Sequence, residues 1–167
     1  GYSPETSRVR RVIVARKAAA DRPAVKAGSG TRAPRVRPDR RARLAPRVPV
    51  VLRSTWVRGW ETATLLCDAT GWPAPPACPP MEQDDPEEVL AAIRPHLSGG
   101  AVAVVGHEPF LHRVVSHLLT GGPDRANLVF RKGGCARLMV PESLLPGAAQ
   151  LEWLMTPAAL RALAGKG

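Results

Sequence analysis

The fold is indicated by one stretch of the chain, which runs Ala101-Val102-Ala103-Val104-Val105-Gly106-His107-Glu108-Pro109. Its first five residues are all apolar, which is typical of a strand buried on both faces of a sheet that helices cover. His107 follows at the carboxyl end of this strand, where sheets of this kind place their functional sites. The stretch therefore predicts a buried strand that ends at a candidate site residue.

Working outward from this stretch, strands alternate with helices. Asp85 and Pro86 are a strong helix start, because an aspartate caps free N–H groups and proline fits the first turn. The apolar patterns predict further strands at 12–15, 50–52, 136–140 and 151–155, and helices at 56–70, 85–99, 109–120 and after 156–157. This alternation predicts an α/β fold.

Two of these helices carry further expectations. The mostly apolar residues near one face of the helix at 56–70 are Val57, Trp60, Thr64 and Leu65. Trp56 and Trp60 are one turn apart, and we expect them to be core residues rather than a platform for stacked bases. Thr156 and Pro157 are expected to cap the last short helix.

The length of 167 residues suits a single domain with its own core. We expect a disordered lead-in over 1–10 and one domain over 11–167. Within that domain, the segment 18–49 is rich in Pro and Arg, and its five prolines and two glycines exclude a long helix. A misread reading frame in a GC-rich gene would produce the same kind of segment.

The net charge of +10 is concentrated in the first third of the chain. Residues 1–53 hold 15 Lys and Arg against three acidic residues, whereas 54–167 hold nine against 11. This tract either attracts partners that carry phosphate or keeps a Pro-rich stretch solvated. Binding of nucleic acid or acidic partners through it is one alternative function, although it lacks interleaved aromatic residues and a recognised module.

The cysteines and the hydropathy pattern bear on the compartment. Cys67, Cys78 and Cys135 are an odd number without paired short spacing, which argues against a disulfide framework or a zinc site. His112 and His117 are five residues apart, which does not align them on one helix face, so we expect no metal and no cofactor. With no apolar run of about 20 residues and no signal peptide, we expect a cytoplasmic monomer that does not enter a membrane.

Three segments place charged residues directly after predicted strands. Arg16 and Lys17 follow the first strand, Arg58 lies one helical turn after Ser54, and His107 follows the strand at 101–105. If these strands are parallel neighbours, the four cationic side chains converge on one pocket. Guanidinium groups and helix N-termini both favour bound phosphate or carboxylate, so the sequence predicts an anion site.

Each of these residues also has a plainer interpretation. Arg16 and Lys17 fit a solvated pair in a basic tract, Arg58 a surface residue, and His107 a hydrogen-bonded histidine at a strand end. Glu108 is a possible proton donor to a leaving group, but a carboxylate at a helix start is more often a partner of the helix dipole.

The same segments resemble the histidine phosphatase superfamily, most closely its short bacterial phosphohistidine phosphatases. Residues 104–111 are similar to the second-histidine signature of that family, and 52–63 are similar to its segment in which an arginine stands four residues after a serine. Residues 132–138 and 151–157 resemble its closing strands. The resemblance covers about 11–17 and 50–160, and it implies a phosphoglycerate mutase-like three-layer sandwich with a mostly parallel central sheet and helices on both faces.

The resemblance fails at the position that matters most for catalysis. In the family, the first strand ends in Arg-His, and that histidine attacks phosphorus; here Arg16 matches the arginine and Lys17 replaces the histidine. The Leu-Thr and Gly residues expected shortly afterwards are also missing. A lysine amine, with an ordinary pKa of about 10.4, is protonated near neutral pH and has no lone pair for attack, whereas imidazole is largely neutral.

We therefore expect a histidine-phosphatase-like domain with an anion pocket that is catalytically impaired or inactive. Arg16, Arg58, His107 and Lys17 are the predicted phosphate ligands. His107 is the predicted catalytic residue, with Lys17 at the nucleophile position and Glu108 as a possible proton donor. The expected partner is phosphate, or a phosphorylated protein or small molecule. An active phosphohistidine or phosphomonoester phosphatase is the alternative.

Overall fold

The computed structural model describes residues 10–16 and 48–164. Within them the chain forms five strands, at β1 (Arg10–Arg16), β2 (Val50–Arg53), β3 (Ala101–Gly106), β4 (Cys135–Val140) and β5 (Gln150–Met155). It also forms four α-helices, at α1 (Val57–Thr70), α2 (Pro86–Ile93), α3 (Phe110–Thr120) and α4 (Pro157–Ala164). The predicted lead-in and the segment 18–49 lie outside the described residues, apart from Arg10 and the residues at 48 and 49.

The five strands form one sheet in the order β2-β3-β1-β4-β5. The pairings of β3 with β1 and with β2 are parallel, whereas β4 pairs antiparallel with both β1 and β5. The sheet is therefore mixed, and the prediction of a mostly parallel sheet needs correction. Residues 141–149 join β4 to β5 without a helix, which accounts for the antiparallel β4–β5 pair, because a parallel connection needs a crossover of about a dozen residues or more.

The core consists of two apolar clusters on opposite faces of β3, and alternating side chains of that strand belong to one cluster or the other. Val102 and Val104 belong to a cluster that also contains buried residues of α2 and α3. Ala101, Ala103 and Val105 belong to the other, which contains buried residues of α1. Successive side chains of a strand point to opposite faces, so helices pack on both sides of β3. All six residues of β3 are buried, as the opening stretch predicts.

The helix that starts at Asp85 is shorter than predicted. The Asp85 carboxylate accepts a hydrogen bond from the backbone N–H of Glu87 at 3.0 Å, which confirms the predicted cap. The α-helix nevertheless ends at Ile93, and a 3₁₀ helix continues over Arg94–Gly99. Pro95 explains the change, because it has no backbone N–H and its ring collides with the carbonyl of the preceding turn.

The buried face of α1 differs from the prediction. Val57, Trp60 and Leu65 are exposed to 70%, 48% and 69%, whereas the small residues Ala63 and Cys67 face the core. Small side chains let the helix approach the sheet closely. The prediction followed the large apolar residues of the helix and therefore chose the wrong face. Across 10–16 and 48–164, no helix is long and apolar enough to cross a bilayer.

Candidate functional site

The candidate site lies where the three parallel strands end. Arg16 at the end of β1 is in register with Gly106 at the end of β3. On the other side of β3, the backbone N–H of Ser54 donates to the carbonyl of Val105 at 3.0 Å. The carboxyl ends of β1, β2 and β3 therefore lie at one edge of the sheet, as predicted for parallel neighbours.

His107 joins this edge to α3. Its backbone carbonyl accepts a hydrogen bond from the N–H of Leu111 at 3.0 Å, in the first turn of the helix. Its partly buried imidazole stacks on the Trp56 ring, with 4.3 Å between the ring centroids and 12° between the planes. The Phe110 ring makes a tilted contact with the same imidazole, with 6.4 Å between the ring centroids. Two aromatic rings thus restrict the orientation of the imidazole.

Gly106 ends β3 in close contact with the core, directly before His107. A Cβ at this position would lie 2.6 Å from the end of the Met81 side chain and 3.1 Å from a methyl carbon of Leu111. Met81 is fully buried in a short 3₁₀ helix, so the strand end is covered by the core immediately before the site begins. A residue with a side chain would collide with the core here, so glycine is favoured at position 106.

Ser54 places Trp56 against the histidine. Its side chain is 1% exposed, and its hydroxyl oxygen accepts a hydrogen bond from the Trp56 backbone N–H at 3.2 Å. Gly59 packs on Ser54, since a Cβ at Gly59 would lie 3.1 Å from the Cβ of Ser54. This contact fixes the entry into α1, and with it the indole that stacks on His107.

Trp56 is the residue that the sequence interpretation missed. We expected Trp56 and Trp60 to be core residues, but they are 52% and 48% exposed. The stack with His107 joins residues from two segments 51 positions apart, so no local pattern shows it. The available signal was the position of Trp56, two residues after Ser54, the polar residue that directly follows β2.

Arg53, at the end of β2, is another cation at this edge, and its side chain donates hydrogen bonds to backbone carbonyls. Its Nε donates to the carbonyl of Pro75 at 3.0 Å, and one terminal nitrogen donates to the carbonyl of Ser54 at 3.2 Å. Its own backbone bonds Pro76 and Cys78 on the neighbouring loop. Arg53 therefore holds the loop after α1 against the end of β2.

The other predicted site residues are placed only in part. Arg16 ends β1 and Arg58 lies in the first turn of α1, but their side chains are outside the described part of the structure. Lys17 is also outside the described residues. Glu108 is partly buried directly after His107, ahead of α3. The convergence of the four cationic side chains therefore stays a prediction.

The other histidines of α3 contact partners away from this edge. His112 Nδ1 lies 3.1 Å from the carbonyl of Leu128, and His117 Nε2 lies 2.6 Å from a carboxylate oxygen of Glu87 on α2. Within 10–16 and 48–164, no group of three or more His, Cys, Asp or Glu side chains is arranged to hold a metal ion.

Cysteine chemistry is disfavoured at the site. Cys135 starts β4 beside Ala15, and burial raises the pKa of its thiol to about 12. Burial also raises the pKa of Cys67 and of Cys78. Because the thiolate is the reactive form, all three thiols are weak nucleophiles near neutral pH.

The fold is similar to that of several solved structures. One is the protein histidine phosphatase SixA complexed with tungstate, with a TM-score of 0.64 and 22% identity over 90% of this chain and 99% of that one. A proposed phosphohistidine phosphatase SixA from Nakamurella multipartitia gives a TM-score of 0.63 at 22% identity over 90% and 98% of the two chains. Its counterpart from Agrobacterium tumefaciens gives 0.58 at 19% identity over 89% and 99%.

No protein-family model matches the chain, and no curated protein matches it. At identities of 22% and below, the structural similarity establishes the fold and leaves the chemistry to be argued from the site. The chain therefore has an α/β fold, with a five-stranded mixed sheet, like that of the SixA structures.

Proposed function

We propose that this chain is a histidine-phosphatase-like domain whose pocket binds phosphate or a phosphoryl group, and whose phosphotransfer step is lost or greatly weakened. The observation that carries the proposal is the register of Arg16 with Gly106 on adjacent parallel strands. The two segments that resemble the family's histidine motifs therefore meet at one sheet edge. The neighbour solved with tungstate, an oxyanion, supports the choice of ligand.

The first turn of α1 adds a second source of anion affinity. The first N–H groups of a helix are unsatisfied within the helix, and the helix dipole favours negative charge at that end. No acidic residue occurs in the first turn of α1, and Arg58 is its second residue. In the proposed site, Arg16, Lys17 and Arg58 hold the anionic oxygens and His107 donates a further hydrogen bond.

Loss of the phosphotransfer step follows from the chemistry of Lys17. Attack on phosphorus needs a lone pair, and an amine with an ordinary pKa of about 10.4 is unprotonated in only roughly four molecules in 10⁴ at pH 7. In the proposed pocket the neighbouring cations lower the pKa of this amine, whereas a bound phosphate raises the pKa again because it is an opposite charge. Lys17 therefore acts as a ligand, and the domain is a pseudoenzyme whose partner is a phosphorylated protein or a small phosphorylated molecule.

An active phosphatase is the second candidate, because the similar structures are described as phosphatases. In that mechanism an unprotonated Lys17 amine attacks phosphorus, His107 stabilises the transferring phosphoryl group and Glu108 protonates the departing oxygen. Water then hydrolyses the phosphorus–nitrogen bond and releases phosphate. Hydrolysis of a chromogenic phosphate ester and of a phosphohistidine protein, compared with the variant His107→Ala, tests this candidate. Turnover that disappears in the variant would favour it over the binding domain.

Calorimetric titration with tungstate at low ionic strength tests the anion pocket. We expect the His107→Ala variant to bind about tenfold more weakly or worse, since a hydrogen bond to a charged group contributes about 1.5–3 kcal/mol. The matched control is His96→Ala, because His96 lies in the 3₁₀ helix that precedes β3, at the opposite end of that strand. No binding by the natural chain, or equal affinity in all three proteins, would contradict the proposal.

A further inference from the structure

A basic groove lies at the same edge of the sheet as His107. It has a volume of about 680 Å³, and its lining includes Val129, Arg131, Lys132, Pro157 and Arg161. Cys135 pairs with both Ala15 of β1 and Met155 of β5, which places the start of β4 and the end of β5 beside the end of β1. The groove and the candidate site therefore open from one edge.

The groove combines three cations with an apolar side. Arg131, Lys132 and Arg161 are exposed, and no acidic residue is among the described residues that line it. The apolar surface of the groove comes from Val129, which is 66% exposed, and from Pro157. Such a surface complements a segment that carries carboxylates with an apolar residue nearby.

The turn that carries two of these cations is fixed by glycines. Gly133 has a φ of 71°, in the left-handed region that favours glycine. The backbone N–H of Gly134 donates to the carbonyl of Arg131 at 2.8 Å, and a Cβ on Gly134 would lie 3.0 Å from the carbonyl oxygen of Met155. The turn therefore packs closely on the end of β5 and holds Arg131 and Lys132 opposite α4.

We infer that this groove binds an acidic segment of the phosphorylated protein that occupies the candidate site. The inference rests on the proposed function, because it assigns a macromolecular partner to the same phosphate pocket. Two to three strand spacings separate β3 from β4 and β5, which is about 10–15 Å. An extended peptide covers that distance in about three to five residues. Carboxylates at that separation from the phosphoryl group therefore reach the groove.

Two labelled peptides test this inference by fluorescence anisotropy at low salt. Each carries one phosphoserine, and one has two glutamates at the fourth and fifth positions on both sides, where the other has glutamines. We expect the natural chain to bind the glutamate peptide about five- to tenfold more tightly than the glutamine peptide.

The double variant Arg131→Ala/Lys132→Ala removes two cations of the groove and is expected to lose this preference. Arg94→Ala/Arg125→Ala is the matched control, since it removes two exposed cations, one before β3 and one after α3, away from the edge that carries His107. This control is expected to keep the preference. Equal affinity of the natural chain for both peptides, or equal loss in the two variants, would overturn the inference.

Two further measurements separate the possible failures. Tungstate binding without a preference between the peptides overturns the groove alone, whereas the absence of both removes the proposed function as well. An oligonucleotide of the same net charge that binds more tightly than the glutamate peptide, and that depends on Arg131 and Lys132, would assign the groove to nucleic acid and overturn the acidic-segment inference.

Discussion

Replacing Trp56 with alanine is expected to weaken tungstate binding without any direct change to the proposed anion ligands. The indole stacks on the His107 ring at 4.3 Å, and the Ser54 hydroxyl fixes the backbone at Trp56. Without the indole, the imidazole gains rotational freedom, and part of the binding free energy is then needed to orient it. Trp56 is therefore a positioning residue in this account.

The expected size of the effect follows from the stack. Stacked aromatic pairs contribute about 0.5–1.5 kcal/mol beyond the area they bury, which corresponds to a loss of about 2- to 12-fold in affinity. The tryptophan is half exposed, so the variant also loses roughly 100 Å² of buried area, or about 2.5 kcal/mol of folding free energy. Binding and stability must therefore be measured separately.

Calorimetric titration with tungstate, performed well below the thermal midpoint of each variant, is the assay. Trp60→Ala is the matched control because Trp60 lies one turn along α1 and is 48% exposed, against 52% for Trp56. We expect the control to lose similar stability and to keep its affinity within about twofold, and Trp56→Phe to retain most of the affinity. Equal weakening in Trp56→Ala and Trp60→Ala, or no weakening in either, would refute a positioning role for the stack.

Three further predictions concern stability. Ser116→Ala is expected to lower the free energy of unfolding by about 2 kcal/mol in a urea titration, because the buried hydroxyl bonds one backbone carbonyl and two backbone N–H groups; an unchanged midpoint would contradict this. Gly134→Ala is expected to cost about 1–3 kcal/mol, since its Cβ would lie 2.8 Å from the Arg131 carbonyl oxygen; a thermal midpoint equal to that of the natural chain would contradict it. Because burial raises the pKa of Cys135 to about 12 from 9.0, the folded state binds its proton more tightly, and stability should fall as the pH rises from 9 towards 12. The urea midpoint of Cys135→Ala should decline less over that pH range than the midpoint of the natural chain. An identical decline in both proteins would show that Cys135 is not the cause.

The sequence predicted the elements that depend on local chemistry. The continuous apolar run of β3, the Asp85 cap and the Thr156 cap, which accepts from the backbone N–H of Ala159 at 3.2 Å, were all confirmed. Each of these features depends on residues close together in the chain. The position of His107 at the edge of the sheet follows for the same reason, because it comes directly after a buried strand.

Features that depend on packing between distant segments were not predicted. The sheet was expected to be mostly parallel, although the lack of a helix between β4 and β5 was a readable sign of an antiparallel pair. The predicted buried face of α1 was wrong, because Ala63 and Cys67 pack against the sheet and the tryptophans do not. The stack of Trp56 on His107 and the groove beside α4 both join segments far apart in the chain, and no periodicity shows such contacts.

Hydrolysis of a chromogenic phosphate ester by the Lys17→His variant, measured beside the natural chain, tests whether Lys17 is the cause of the lost phosphotransfer step. At pH 7 an ordinary imidazole is mostly neutral and an ordinary lysine amine is not, so the substitution is expected to raise turnover about 10³-fold. The gain should disappear when His107→Ala is added. A Lys17→His variant that binds tungstate but hydrolyses the ester no faster than the natural chain would contradict the claim, as would natural-chain turnover that matches the variant and is lost in Lys17→Ala.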